Sequence, residues 1–416
     1  MHHGAHREHG EKRFVSVLFT VAFWVASLGL ANADMAPAVP VPDDPAVVLQ
    51  LPPGFSAQLF ARLAPPGGGY AHGPRFMAFD PDGNLYLSLG LDNKVVMLPD
   101  RDHDGRADAV ITVADKLNGP QGLAFVQGKL YVADQDGVVR LEPGDGKWPA
   151  TAVTTIISNL PTGGHTMKSL KLGPDGLLYL DVGSSCNVCE ESDPLRATLL
   201  RYSVDGRPAG ALASVGRHPS SPILASGLRN SQGFAWHPLT GALYATNDGA
   251  DMRSDTKDGK PLDALPPEHL NLIGPGQHYG WPYCWGERVT DPNFPGAEGF
   301  CATTQPPAIT FPAHTTPIGI TFLDKSGFPA DYQDDALVAL HGSWNRVQPA
   351  GYKVVRVHFV QGRPASVSDF ITGWLNAGSA WGRPVDIVVG PDGAAYISDD
   401  RAGMIYRVVY RKGAGQ

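Results

Sequence analysis

The sequence predicts an all-β fold, a six-bladed β-propeller, and two observations carry this prediction. One hairpin recurs six times, as an apolar strand, a tight turn and a second strand that often has a Leu-Tyr core. The 49 glycines and 37 prolines among 416 residues favour many turns over long helices. Repeats at this spacing are typical of propellers, so we expect each copy to supply the two inner strands of a four-stranded blade.

The six copies differ mainly in their turns. Three of them turn at Pro-Asp-Gly, where proline presets φ and glycine accepts a positive φ. The gaps between copies widen later in the chain, above all around 250–315, and we expect loops there, inserted on the face that holds the site. The copies span 75–88, 121–134, 168–180, 232–246, 318–340 and 385–398.

The N-terminus predicts a signal peptide over residues 1–33. Lys12 and Arg13 precede an apolar run, and Ala31-Asn32-Ala33 fits the small-residue cleavage rule. A retained membrane anchor is the alternative. The four early histidines leave with this segment and are given no metal role. We expect residues 34–50 to form an extended leader, 51–416 to form the propeller, and the protein to be periplasmic or secreted.

Charge and hydropathy exclude two classes of partner. The chain has a formal net charge of −8, and residues 1–33 contribute three basic and two acidic side chains. The remaining chain is therefore more acidic still, near −9, which argues against nucleic acid. After the predicted signal peptide, no stretch is apolar enough to span a membrane.

The four cysteines all follow the predicted signal peptide. An even count in an exported chain favours disulfides, and the simplest pairing joins Cys186 to Cys189 and Cys284 to Cys301. Glu190 follows the Cys-x-x-Cys segment, where a haem attachment site requires histidine. Redox or zinc use of the cysteines is the alternative.

The stretch from residue 228 to 251 carries the most informative polar pattern. A hairpin there has Arg229, Asn230 and Gln232 before its first strand and a Gly-Asp-rich loop at 247–251 after its second. The two ends of an antiparallel hairpin lie side by side, so both groups should face one place. Guanidinium and amide groups suit a planar, acidic, carbonyl-rich ligand, and Asp with backbone carbonyls suits a hard cation. A surface hairpin with a polar rim is the alternative.

A second acidic loop lies at residues 100–108. It has carboxylates at alternate positions and glycine at the sixth, like the start of a calcium loop. Its twelfth position is Ile111 instead of glutamate, so an EF-hand is excluded. A peripheral calcium site and a solvated turn between strands both remain open.

Together with the repeats, three motifs resemble those of the soluble quinoprotein sugar dehydrogenases, which are six-bladed propellers that bind pyrroloquinoline quinone (PQQ) and calcium. The motifs are residues 227–233, 271–273 and 279–282, and the Arg-Asn-x-Gln-Gly and Tyr-Gly-Trp-Pro segments among them are fairly specific when found together. Residues 183–190 and 341–346 are similar to the sorbosone and pyranose dehydrogenase branch. The resemblance covers nearly all of the chain after the leader.

The resemblance implies a role for each matching residue. His165 matches the catalytic base, which takes the proton from the hydroxyl on the anomeric carbon while hydride passes to C5 of the quinone. The residues that match cofactor-binding positions are Gln121, Arg229, Asn230, Gln232, Arg346 and Arg383. Gly249 and Ala250 match the backbone carbonyls that bind a calcium ion acting as a Lewis acid, with Asp251 as a further ligand.

The sequence departs from the family pattern at two positions. Val385 stands where a second arginine is expected beside Arg383, so binding of the cofactor's carboxylates is weakened or rerouted there. Gly164 replaces the acidic residue that precedes the base in the glucose branch, so substrate positioning should differ. Trp344, Trp281 and His341 are candidates to line the sugar site, although Trp in a propeller is more often core.

These residues lead us to expect a PQQ- and calcium-dependent dehydrogenase that oxidises an aldose or an aldehyde sugar. Its partners would be a small-molecule sugar substrate and an external electron acceptor, a cytochrome or a quinone, because the chain has no haem motif. One alternative is a non-catalytic propeller that binds a carbohydrate or a protein on its loop face. Another is a calcium-dependent lactonase, which would need inward-facing carboxylates around a central ion.

Overall fold

The computed structural model describes residues 41–44, 48–63, 73–211 and 221–412. The predicted signal peptide lies outside these residues, as do most of the predicted leader and the last four residues of the chain. Within the described ranges the chain is almost entirely β-strand and turn. No helix among these residues is long and apolar enough to cross a membrane.

Six four-stranded antiparallel sheets form the six blades, which confirms the predicted propeller. Blade 1 contains β2 (Met77–Phe79), β3 (Leu85–Leu89), β4 (Lys94–Leu98) and β5 (Ile111–Ala114). Blade 2 contains β6 (Leu123–Val126), β7 (Lys129–Asp134), β8 (Gly137–Gly144) and β9 (Lys147–Ile157). Blade 3 contains β10 (Leu170–Leu172), β11 (Leu178–Val182), β12 (Thr198–Tyr202) and β13 (Ile223–Ser226).

The later blades follow the same order with longer connections. Blade 4 contains β14 (Phe234–Trp236), β15 (Leu243–Asn247), β16 (Glu268–Ile273) and β19 (Ile309–Phe311). Blade 5 contains β20 (Pro317–Phe322), β21 (Ala336–Leu340), β22 (Lys353–Val360) and β23 (Arg363–Ile371). Blade 6 contains β26 (Pro384–Val389), β27 (Ala395–Asp399), β28 (Met404–Tyr410) and β1 (Phe55–Arg62). Each of the six repeated hairpins supplies the two inner strands of one blade, as predicted.

The sixth blade closes the ring with a strand from the other end of the chain. Strand β1 pairs antiparallel with β28, from Phe55 opposite Tyr410 to Arg62 opposite Met404. Farther out, Gln50 and Thr372 exchange backbone hydrogen bonds. The repeat pattern does not include β1, because this strand stands alone without a hairpin partner in sequence.

The core lies between neighbouring blades. The second strand of each blade is buried along nearly its whole length, because side chains on both faces of the blade meet the adjacent blades. Between blades 6 and 1, for example, Leu85 and Leu87 pack with Tyr396 and Ile405. This packing makes the blades a rigid support for the loops at their ends.

The remaining elements belong to insertions. The wide gap contains β17 (Cys284–Trp285), β18 (Val289–Thr290) and the four-residue helix α1 (Glu298–Cys301). Strands β24 (Leu375–Asn376) and β25 (Ser379–Ala380) form a small hairpin before blade 6, and a 3-10 turn covers Ala330–Tyr332.

The expectation that the wide gap is one set of loops on one face is only half right. Residues 248–267 connect β15 to β16 at the end of the propeller that carries the site. Residues 274–308 leave from the opposite end of β16 and run up beside β13, where Ser226 and His278 form a parallel bridge. The second segment therefore runs along the side of blade 3 back to the end of the propeller that carries residues 248–267.

Candidate active site

The predicted site residues come together because of where they stand in the repeat. Gln121, His165, Gln232 and Arg383 each lie just before the innermost strand of a blade, and residues 249–251 follow the second strand of blade 4. In an antiparallel blade, the start of the first strand and the end of the second lie at the same end. All of them therefore belong to one end of the propeller, which we call the site end.

His165 is held as a neutral base by the chain that follows β11. Its Nδ1 lies 3.1 Å from the carbonyl oxygen of Ser184 and 2.9 Å from the hydroxyl oxygen, and this hydroxyl donates to the carbonyl of Cys186. Since a carbonyl oxygen only accepts, Nδ1 carries the proton and Nε2 keeps its lone pair. Burial and the nearby Arg229 charge lower the pKa of His165 to about 4.

Gly183 makes the close approach to His165 possible. A Cβ at this position would lie 2.5 Å from the Cβ of His165 and 3.2 Å from Oδ1 of Asn230. That oxygen of Asn230 is buried and has no hydrogen-bond partner in the protein. An unsatisfied buried acceptor is costly unless something donates to it, which marks the position as one that a ligand can complete.

Arg229 is almost fully buried and forms the centre of what we call the Arg229 cluster: Arg229, Asn187, Asp248, Asp251 and Glu268. Its guanidinium pairs with Asp251 at 2.9 Å and with Asp248 at 3.4 Å. It also donates to the carbonyl and to the side-chain oxygen of Asn187 at 3.1 and 3.0 Å. The two ends of the hairpin are thus adjacent, and Asp248 N–H donates to the Asn230 carbonyl.

The acidic side of the Arg229 cluster is dense. Glu268 is buried and accepts a hydrogen bond from the N–H of Gly249 at 2.5 Å. Burial, together with the neighbouring carboxylates, raises the pKa of both Asp248 and Glu268. Carboxylate oxygens are among the ligands that calcium prefers. Gly249, Ala250 and Asp251 lie beside them, although sequence reasoning had not included Glu268.

A second buried network, which we call the Arg75 cluster, contains Arg75, Asp400, His341 and Arg383. Arg75 pairs with Asp400 at 2.5 Å, and Nε2 of His341 lies 2.9 Å from the same carboxylate. Arg383 donates from Nε to the His341 carbonyl at 3.1 Å and from Nη2 to the Gly342 carbonyl. Burial disfavours the Asp400 carboxylate, but His341 and the two arginines outweigh burial and lower its pKa to about 2.

Arg75 also connects the predicted amides across the ring. Its Nε and Nη2 donate to the side-chain oxygens of Gln121 and Gln232, each at 3.2 Å. Both amides therefore turn their NH₂ ends away from Arg75. Sequence reasoning assigned Arg75 no role, although it opens the first repeat as Gln121 opens the second. Val385, at the position of the missing arginine, is fully buried against Phe76 and Ile318.

Other predicted residues lie around these clusters. The guanidinium of Arg346 donates to the carbonyls of Asp263 and Ala313, where it ties two loops together, and its cofactor role stays a prediction. His341 is buried in the Arg75 cluster, and Trp281 is buried with its Nε1 bonded to the Asn187 carbonyl. Trp344 has 56% of its surface exposed, so among the three it is the one open to solvent.

The predicted disulfides Cys186–Cys189 and Cys284–Cys301 are both confirmed. At the acidic loop, carboxylate oxygens of Asp100, Asp102 and Asp104 come within 4.8 Å of one another. Asp100 also accepts the N–H of Gly105, and Asp104 that of Arg106, so the turn is held by its own hydrogen bonds. A calcium site there stays an open prediction.

Comparisons with known proteins agree with the predicted resemblance. A PQQ-dependent pyranose dehydrogenase from Coprinopsis cinerea is 26% identical over 412 residues, which cover 83% of this chain and 53% of that protein. The chain thus spans about half of that relative.

Two solved structures share the fold. The calcium structure of the Trichoderma reesei Carbohydrate-Active Enzymes Family AA12 protein has a TM-score of 0.74 and 20% identity, over 89% of this chain and 98% of that one. The holo PQQ domain of the Coprinopsis cinerea pyranose dehydrogenase has a TM-score of 0.72 and 21% identity, over 90% and 99%. The TrAA12-like family model matches residues 50–412, and the chain is therefore a member of the TrAA12-like family.

Proposed function

We propose that the protein is a PQQ- and calcium-dependent dehydrogenase that oxidises an aldose or aldehyde sugar, of the sorbosone or pyranose type, with an external electron acceptor. The observation that carries this proposal is the meeting of a neutral, oriented imidazole with buried guanidinium groups and a buried acidic cluster at one end of the propeller. The Coprinopsis cinerea relative is named for PQQ and pyranose, and its holo PQQ domain shares this fold, which supports the same cofactor here.

The donors at the site end fit a planar tricarboxylate with quinone oxygens. Arg229 and Arg383 supply fixed guanidinium groups, and Arg75 orients the NH₂ ends of Gln121 and Gln232. These groups would hold the carboxylates and the carbonyl oxygens of PQQ. When bound, the quinone would supply the oxidising power by accepting hydride from the sugar.

The acidic side of the Arg229 cluster fits calcium. Asp248 and Glu268 are carboxyl groups whose ionisation is opposed by burial and by neighbouring carboxylates, Asp251 for both and Asp248 for Glu268. A divalent cation would relieve that repulsion and favour both carboxylates. The carbonyls of Gly249 and Ala250, with the Asp251 carboxylate, would complete the oxygen ligands, and the ion would act as a Lewis acid on a bound carbonyl oxygen.

His165 would take the proton that leaves the sugar hydroxyl. Its Nε2 is the free acceptor, because Nδ1 is occupied by Ser184. The low pKa keeps the imidazole unprotonated at neutral pH, so the base is ready before the substrate arrives. Once Nε2 is protonated, the Ser184 carbonyl remains bonded to Nδ1–H and stabilises the imidazolium.

Reconstitution tests the proposal. Purified protein is titrated with PQQ at fixed calcium, the cofactor absorbance gives the affinity, and dye reduction is followed with a panel of aldoses and sorbosone. We expect calcium-dependent binding and sugar-dependent dye reduction. Binding without turnover on any sugar would leave the proposed substrate class unsupported. No binding at any calcium concentration would contradict the quinoprotein function.

A further inference from the structure

The loop after β11 touches both the base and the Arg229 cluster. It runs over residues 184–189 and is closed by the Cys186–Cys189 disulfide. At its start Ser184 holds Nδ1 of His165. Between the two half-cystines lies Asn187, whose carbonyl and side-chain amide bond residues of the site.

Asn187 makes five hydrogen bonds to three residues of the site. Its Oδ1 accepts from Nη2 of Arg229 at 3.0 Å and from the N–H of Asp251 at 2.8 Å, and its Nδ2 donates to the Asp251 carbonyl at 2.8 Å. Its own carbonyl accepts from Nε of Arg229 at 3.1 Å and from Nε1 of Trp281 at 3.0 Å. The residue is exposed, so these bonds are not the by-product of filling a core.

These contacts fix the plane of the Arg229 guanidinium. Asn187 accepts from Nε and Nη2, Asp251 also accepts from Nη2, and Asp248 accepts from Nη1. A guanidinium has five N–H donors in a rigid fork. The contacts of Nη1 with the carbonyl and the carboxylate of Asp248 are the longest, at 3.4 Å, so with the plane fixed Nη1 is the nitrogen most available to a ligand. The side-chain amide of Asn187 also forms hydrogen bonds with the backbone N–H and the backbone carbonyl of Asp251, in the segment proposed to bind calcium.

The rest of the loop is braced from outside. Ser185 donates from its N–H and its hydroxyl to the Glu191 carboxylate at 2.6 and 2.7 Å. Tyr283 donates to Glu190 at 2.8 Å. With the disulfide, these bonds limit the positions that Asn187 can take, and limiting them reduces the entropy lost when a ligand binds.

We propose that Asn187 is a positioning residue, which the disulfide-closed loop holds in place to orient Arg229 and Asp251 for the cofactor and the cation. This inference rests on the proposed function and adds the residue that sets its cofactor-binding geometry. Asn187 itself transfers no proton and touches no reacting atom. It acts through Arg229 and Asp251.

The first test is Asn187→Ala, with Asn84→Ala as the matched control. Asn84 also bonds a carboxylate through its amide, that of Asp80, but in a turn at the opposite end of blade 1. We expect Asn187→Ala to raise the Kd of PQQ at saturating calcium by about tenfold, the lower range for the loss of a partner that orients a ligand-binding group. The control should leave this Kd unchanged. An unchanged Kd in folded Asn187→Ala would overturn the proposal.

A second readout separates positioning from general stability. If Arg229 moves away, its charge no longer lowers the pKa of His165, so the acid limb of kcat/KM should shift to higher pH in Asn187→Ala. A merely structural role would lower the melting temperature and leave this limb in place. The Cys186→Ser/Cys189→Ser variant keeps Asn187 but frees its loop, and it should shift the Kd and the limb in the same direction. A shift in neither quantity in the disulfide variant would remove the loop from the proposal.

A third readout does not need the cofactor. Hydrogen–deuterium exchange on the apo protein should be faster at the Asp251 amide in Asn187→Ala, because its acceptor is lost, and unchanged in Asn84→Ala. If the wild type binds no PQQ, the proposed function fails, and exchange still decides whether Asn187 holds Asp251. Equal exchange in wild type and Asn187→Ala would show that it does not.

Discussion

The Arg229 cluster and the Arg75 cluster have similar chemistry but are assembled in different ways. Arg229 finds its partners Asp248, Asp251 and Asn187 at 19, 22 and 42 residues along the chain. Arg75 finds Gln232 and Asp400 at 157 and 325 residues. The first cluster is therefore built within blades 3 and 4, whereas the second exists only when blade 6 has closed on blade 1. The local cluster carries recognisable motifs, and the distant one depends on the ring.

The largest effect that separates the clusters should come from their histidines. We expect His165→Ala to lower kcat by about 10²–10⁴-fold, the usual range for a general base, with little change in the Kd of PQQ. His341→Ala should keep much of its turnover, because His341 bonds Asp400 within the Arg75 cluster. Steady-state kinetics with PQQ titrations would measure both. Equal loss of kcat in the two variants, with intact binding, would place chemistry in both clusters.

The next effect should be on folding stability. Arg75→Met leaves the buried Asp400 carboxylate without its guanidinium partner, and breaking a buried pair costs about 3–5 kcal/mol. Arg229→Met should also destabilise the protein, but calcium should recover part of that loss, because Arg229 neighbours two carboxylates in the segment proposed to bind calcium, whereas Arg75 pairs with the single carboxylate of Asp400. Denaturant unfolding with and without calcium distinguishes the two. Calcium recovery of Arg75→Met to the same extent would contradict the separation of the clusters.

Calcium itself should act on the Arg229 cluster. At about 100 times its Kd, an ion that binds only the folded state stabilises it by about 2.7 kcal/mol. We expect thermal unfolding to move up with calcium in the wild type and less so in Glu268→Gln, which keeps an acceptor for Gly249 but removes a charge. Asp392→Asn, in a turn at the other end of the propeller, is the control. An equal calcium response in Glu268→Gln would exclude Glu268 from the cation site.

The smallest effect should be on the pH dependence of kcat/KM, whose fall on the acid side should lie below the usual range for histidine. His165 has its pKa lowered to about 4 by burial and by Arg229, and only the neutral form is a base. The kcat/KM profile should therefore hold its plateau through pH ~6 and fall only as pH approaches about 4. His341 is likewise held neutral, with a pKa of about 4. Its contribution to stability is complete above the unfolded value near 6.5 and is lost as pH falls from there to about 4. An acid limb at the ordinary histidine value would contradict the environment described for His165.

The sequence predicted most of the fold because the blade hairpin is a local pattern. The recurring unit of an apolar strand, a turn and a second strand, with Pro-Asp-Gly at three of the six turns, identifies all six pairs of inner strands. The pairing of the closing strand β1 was not predicted from the sequence. Its partner β28 lies at the far end of the chain, and no local signal joins Phe55 to Tyr410. The path of residues 274–308 was not predicted for a similar reason. A gap between repeats does not show from which end of the blade the connecting segment leaves.

The parts of the site that one hairpin brings together were likewise predictable from the sequence, and the parts that come from distant segments were not. Arg229, Asn230 and the loop at 247–251 are joined by one hairpin, so their meeting followed from strand geometry. Glu268 reaches the cluster from the start of β16, and nothing in its neighbouring residues marks it. Asn187 comes from the loop after β11, within the segment 183–190 that resembles the sorbosone and pyranose branch, but the resemblance assigned it no role. The position of Arg75 at the head of the first repeat could have marked it as a site residue. Its salt bridge with Asp400, however, could be recognised only from the folded structure.

The pairing of β1 with β28 determines when the sixth blade can fold during synthesis of the chain. Residues 55–62 leave the ribosome long before residues 404–410 exist, so an edge strand must wait unpaired while five blades are made. An unpaired edge strand is a template for pairing with another chain and so for aggregation. The last blade cannot form until residues 404–410 have left the ribosome, and a truncation that removes β28 would leave β1 without its partner.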